Sequence, residues 1–185
     1  MDQLIDIQIS HHQIQVRSVP FVEDNVQWND ESLEQGVLIN RGHVIFDPIV
    51  DGEFFAKVNI SLRDTYVKDV NALRAMVVPF DVVDLGNLFV ASVITRHQIG
   101  VGLVVGEYSI YFEICEPDDV DEVYYNIVFV PGKIGAKYLM DDNLLLQCRT
   151  NNRSFVGNAY IWSTLYSSIS CTHLLGRKEL VVTTV

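Results

Sequence analysis

The densest group of reactive side chains is acidic. Glu113, Glu116, Asp118, Asp119, Asp121 and Glu122 crowd one short stretch with no base among them. Carboxylates bind hard cations such as calcium, but this spacing lacks the central glycine and terminal glutamate of an EF-hand loop. Two carboxylates can also work as acid and base on a glycosidic bond, provided that their separation in space is right. The plain alternative is a solvated loop. The remaining reading is a docking surface for a partner's basic residues. Tyr124 and Tyr125 lie close behind and favour docking, because aromatic residues are enriched at protein interfaces. A second acidic group, Asp30, Glu31 and Glu34, lies just after Trp28. The expected partner-binding set is therefore Trp28, Asp30, Glu31, Glu34, Glu113, Glu116, Asp118, Asp119, Asp121, Glu122, Tyr124 and Tyr125.

Other chemistry finds little support. No G-x-S-x-G elbow, cysteine-nucleophile signature or phosphate-cradling glycine loop is present. Gly100-Val101-Gly102 lacks a third glycine. His11 and His12 are adjacent, and adjacent strand residues face opposite ways, so one metal is hard to share. One of them is expected on the wet face and the other as a hydrogen-bonded core histidine. Cys148, Cys171 and His173 lack the paired spacing of a zinc site. No catalytic residue, metal or cofactor is expected, and the chain reads as a binding protein rather than an enzyme.

Charge limits the partners. The 185 residues carry a formal charge of −11. That disfavours nucleic acid and anionic membranes, which attract Lys and Arg, and favours a basic protein. The charge is uneven. Residues 1–142 hold 23 acids and 9 bases, whereas 143–185 hold only Glu179 against Arg149, Arg153, Arg177 and Lys178. A boundary is expected near Asp142, between an acidic domain at 1–142 and a tail at 143–185. No signal-peptide pattern or membrane-length apolar run is seen. With three cysteines, an odd count, reduced buried thiols and a cytoplasmic location are expected.

The elements that position these residues are strands. Ile5, Ile7 and Ile9 alternate with polar neighbours, and Phe54, Ala56, Val58, Ile60 and Leu62 alternate with Phe55, Lys57, Asn59 and Ser61. Tyr108, Ile110, Phe112 and Ile114 form a third row, and Tyr125, Ile127 and Phe129 a fourth. Period-two alternation gives one buried and one wet face. Turn residues separate the rows at Asn40-Arg41-Gly42, Asp51-Gly52, Leu85-Gly86-Asn87 and Gly106. The expected fold is all-β, an antiparallel β-sandwich with one short helix. That helix is predicted at Asp30–Gln35, capped by Asn29 and stopped by Gly36. A second helical turn is predicted at Val67–Ala75. In the tail, Leu144–Gln147, Phe155–Trp162 and Leu180–Val185 could be strands.

Several blocks are collinear with a known family. They are Ile9-Ser10-His11-His12-Gln13-Ile14, Trp28-Asn29-Asp30-Glu31-Ser32-Leu33-Glu34-Gln35-Gly36 and Gly42-His43-Val44-Ile45-Phe46. Val78-Pro79-Phe80-Asp81-Val82 follows, then Gly106-Glu107-Tyr108-Ser109-Ile110-Tyr111-Phe112-Glu113 and Glu122-Val123-Tyr124-Tyr125. Together they resemble the competence protein J family over roughly residues 7–135. The resemblance implies a cytoplasmic, non-catalytic inhibitor or immunity-type protein that binds and blocks a DNA-entry nuclease. It implies a basic nuclease or toxin domain as partner. Residues beyond about Asp142 have no counterpart in it. The alternative function is a β-sandwich binding module for a small ligand or carbohydrate.

Overall fold

Two sheets face each other across an apolar interior in a computed structural model that describes residues 2–50, 52–117 and 122–140. The six-stranded sheet runs, in spatial order, β1 (Asp2–Ile9), β5 (Phe54–Leu62), β10 (Tyr124–Pro131), β9 (Gly106–Cys115), β6 (Ala72–Val82) and β11 (Lys137–Met140). The five-stranded sheet runs β3 (Val37–Asn40), β4 (His43–Phe46), β2 (Ile14–Arg17), β7 (Phe89–Ala91) and β8 (Arg96–Gln98). The pairs are antiparallel except β5 with β10, which is parallel. The all-β sandwich expected from the alternation is the observed fold, with that one parallel pair added.

The four alternating rows build its interior. Ile7, Ile9, Val58, Ile60, Ile110, Phe112, Tyr125, Ile127 and Phe129 are all fully buried. Phe46 of β4 stacks on Phe112 of β9 with centroids 4.2 Å apart, joining the two sheets. Such a stack adds about 0.5–1.5 kcal/mol beyond the area it buries.

The helix α1 is Asp30–Gln35, as its sequence signals predict. Asn29 accepts from the Ser32 amide and Ser32 Oγ accepts from the Asn29 amide, a complete capping box. Gly36 ends it at φ 64°, a left-handed conformation that glycine adopts without a Cβ clash. No described helix is long and apolar enough to cross a membrane.

Three local expectations are corrected. Val67–Ala75 is not helical: it is the end of a connection followed by the start of β6. Ala72, Ala75, Met76, Val77 and Val78 are buried on both faces of that strand, so its sequence loses the alternation that marks a half-wet strand. His11 and His12 lie on no strand. Both have positive φ, 55° and 52°, and they form an exposed two-residue turn closed by the Ser10–Gln13 bridge. Two positive-φ residues match the twist of a tight hairpin, and histidine tolerates that region better than most residues. Gly106 opens β9 rather than lying in a turn. Residues 141–185, which include the tail and its candidate strands, lie outside the described residues, as does Asp51.

One connection shapes the candidate site. β5 is parallel to β10, which is antiparallel to β9, which is antiparallel to β6. Therefore β5 and β6 run the same way, three positions apart in the sheet, and residues 63–71 must cross an outer face to join them. The register puts the start of β6 level with Lys57, five residues back along β5. The span is roughly 17 Å along the strands and 14 Å across them. Nine residues reach about 30 Å, enough to cover the diagonal of roughly 22 Å with some slack.

Candidate functional site

The crossover rests on the outer face of β9 and β10, beside the acidic loop that joins them. Tyr66 stacks on Tyr111 at 4.1 Å. Its hydroxyl donates to Glu113 Oε1 at 2.6 Å, and the Asp69 amide donates to the same oxygen at 2.9 Å. Asn126 Nδ2 donates to Glu113 Oε2 at 2.8 Å and to Asp69 Oδ2 at 3.1 Å. Tyr124 donates its hydroxyl hydrogen to Asp69 Oδ2 at 3.0 Å and accepts from Asn71 Nδ2. Asn59 donates to Asn126 Oδ1 and fixes that amide's orientation.

The electrostatics follow from this packing. Burial, the bond to Glu113 and its charge raise the Tyr66 hydroxyl well above the usual tyrosine range. Burial pushes Tyr124 up to about 12 despite the Asn71 bond. Asp69 is opposed by burial, but donors from Asn71, Tyr124 and Asn126 bring it below the usual carboxylate range.

Asp69, Glu113 and Cys115 bring their ligand atoms within 4.8 Å of one another, the one such acid-thiol trio among the described residues. Its centre already holds the Asn126 amide, whose nitrogen also lies 3.6 Å from Cys115 Sγ. Burial and the charges of Glu113 and Asp69 push the Cys115 thiol up to about 12, so no thiolate is available at neutral pH. The arrangement is a clasp that pins the crossover.

Two of the expected partner-binding residues are therefore corrected. Glu113 is 1% exposed. The alternation put it rightly on the outer face of β9, but the crossover covers that face. Tyr125 is fully buried; it packs on Phe112 and donates to the Pro48 carbonyl at 3.2 Å. Asp118, Asp119 and Asp121 lie outside the described residues. Asp30, Glu34 and Glu122 are exposed, and Trp28, Glu31, Glu116 and Tyr124 are half-buried.

The structure places α1 and the acidic loop at the same end of the sandwich. Tyr125, at the start of β10, touches Pro48. Its neighbour Asp47 bonds through its amide to the carbonyl of Gly36, where α1 stops. The opposite end carries a cleft of about 660 Å³ in which Asp81 is paired with Arg41 at 3.3 Å and Lys133 at 2.7 Å. The sequence reading missed the clasp residues Tyr66, Asp69, Asn71 and Asn126. Its only sequence signal was a polar run, with no pattern that pairs it to β9.

Comparison with known proteins fits this architecture. Among solved structures the chain is similar to ComJ from Bacillus subtilis, described as an inhibitor of the DNA degrading activity of NucA. The two share 19% identity and a TM-score of 0.57, over 70% of this chain and 96% of that one. At this identity the likeness shows the fold. A second similar structure, crocagin biosynthetic gene J, shares 17% identity with a TM-score of 0.48, over 72% of this chain and 99% of that one. No curated protein matches the chain. A model of the competence protein J family matches residues 6–130. That match spans well over half of the sequence, and the chain belongs to the competence protein J family.

Proposed function

We propose that this protein binds a DNA-degrading nuclease and blocks it, acting as an inhibitor with no catalysis of its own. The observation that carries the reading is the family match over residues 6–130. The relative ComJ, of the same fold, is described as the inhibitor of NucA. Physical chemistry supports the same partner. A nuclease cleft must attract phosphates, so it is basic, and a protein of net charge −11 is steered to it by the same field.

The contact set is Trp28, Asp30, Glu31, Glu34, Glu116, Asp118, Asp119, Asp121, Glu122 and Tyr124. Carboxylates stand in for phosphates there, and the aromatic rings supply packed anchors that charge alone does not. Tagged full-length protein captured from its native host tests the proposal. The eluate should be silent on DNA until high salt separates the complex, and should then degrade it. Recovery of a folded bait with no DNase activity after dissociation would refute it.

A further inference from the structure

The outer face of β2, β7 and β8 carries the opposite charge. Along β2, Ile14 and Val16 point into the sandwich, so Gln15 and Arg17 point out, yet they are only 5% and 8% exposed. Phe21 packs against Arg17 and the edge of His43. The Arg17 guanidinium lies 5.8 Å from the Phe21 ring centre and 5.7 Å from that of Phe89, its cross-strand neighbour. Arg96, on β8, lies 5.4 Å from the same Phe89 ring. Two guanidinium groups thus flank one aromatic ring.

Among the described residues neither guanidinium has an anion. Arg17 and Arg96 make no ion pair or side-chain hydrogen bond there, and Arg17 Nε is buried with no acceptor. Burial and the Arg96 charge hold Arg17 below the usual guanidinium range. A buried charge beside a like charge is unfavourable unless something balances it, and cation–ring contacts offset only part of that cost. Both arginines line a groove of about 550 Å³. Its rim is apolar: Phe21, Val93 and Ile94 are about half exposed. The one carboxylate on the rim, Glu23, pairs with neither arginine.

We propose that this groove binds a carboxylate bearing an apolar substituent, with the carboxylate between Arg17 and Arg96 and the substituent against Phe21, Val93 and Ile94. A planar guanidinium matches a planar carboxylate through paired N–H donors. The groove lies on the outer face of the five-stranded sheet and is lined by none of the residues of the nuclease contact set, so the proposal does not rest on the nuclease reading. A small carboxylic acid and an acidic, apolar peptide segment share this chemistry.

The test uses the full chain, ¹⁵N-labelled, with the Arg17 Nε–H resonance as readout. The probes are 3-phenylpropanoate, acetate, inorganic phosphate and the capped tripeptide Phe-Asp-Phe. Phenylpropanoate should shift the resonance saturably, about tenfold more tightly than acetate or phosphate. Arg96→Gln, at an exposed position, should fold normally and weaken binding about tenfold. Tighter binding of the tripeptide than of the acid assigns the ligand to a protein segment; the reverse assigns it to a small molecule. An unmoved resonance, an equal response in Arg96→Gln, or phosphate and acetate matching phenylpropanoate would each overturn the proposal. Binding seen only in Glu23→Gln would place Glu23's own carboxylate in the groove and overturn it too.

Discussion

Stability should fall as pH is lowered from 7 to 5, and one histidine should account for most of the loss. His43 is fully buried on β4. Its Nε2 donates to Gln15 Oε1 at 3.2 Å, and its Nδ1 is buried with no partner. The Gln15 amide in turn donates to Gln13, which leaves Gln15 Oε1 as the acceptor. This suits the neutral ring. Burial first, and the nearby Arg17 charge second, lower its pKa from 6.5 to about 4. Between these values the unfolded chain binds a proton that the folded chain refuses, so stability present above pH 6.5 is lost as pH falls toward 4. The full difference is roughly 3 kcal/mol, of which about 2 kcal/mol is lost between pH 7 and 5. Asp69 contributes in a separate window, because its lowered pKa costs stability only as pH falls below its ordinary value of 3.8. Urea unfolding at pH 7, 6 and 5 measures the slope, and His43→Gln removes the titrating group while keeping a donor for Gln15. The wild type should lose about 2 kcal/mol over this range and the variant under about 0.5. Parallel slopes for the two proteins would refute the reasoning.

Glu113→Ala leaves three donors without an acceptor, from Tyr66, Asp69 and Asn126, and should cost about 3 kcal/mol or more in urea unfolding. Tyr125→Phe should cost about 1 kcal/mol of stability through the lost bond to Pro48 and leave nuclease association unchanged by stopped-flow mixing. Glu116→Gln combined with Glu122→Gln should slow that association and flatten its salt dependence at constant thermal midpoint; an unchanged salt slope would move the interface away from the loop. Tyr124→Phe should weaken the fold more than the complex, because the Tyr124 hydroxyl is already committed to Asp69 and Asn71. Tyr124→Ala should raise the dissociation rate by an amount worth roughly 2 kcal/mol.

Much of the fold was legible because local rules and the global answer agree. The isoleucines of β1 alternate and face inward, and α1 begins and ends where Asn29 and Gly36 require. One kind of failure depends on what lies over a residue rather than on what flanks it. Glu113 was placed on the correct face of its strand, yet its burial is decided by a crossover fixed by the parallel relation of β5 and β6. Arg17, on the outer face of β2, is likewise covered by Phe21. His11 and His12 carry no glycine or asparagine to signal a turn, so their positive φ was not readable from the sequence.

Donor counting divides the carboxylates of the acidic end into two kinds. Glu113 already accepts three hydrogen bonds and Asp69 accepts three through its side chain. A partner's guanidinium reaching either would strand those donors in a buried place, at a cost comparable to what the new ion pair returns. Asp30 and Glu122 are exposed, and water is displaced from them more cheaply. Exposed charges contribute little to standing affinity but act at a distance on approach. The clasp holds the Tyr124 hydroxyl between Asp69 and Asn71, which would lower the entropy lost if a partner packed on its ring. The carboxylates committed to structure, Glu113 on β9 and Asp69 in the crossover, therefore lie at the same end of the sandwich as the exposed carboxylates of α1 and Glu122.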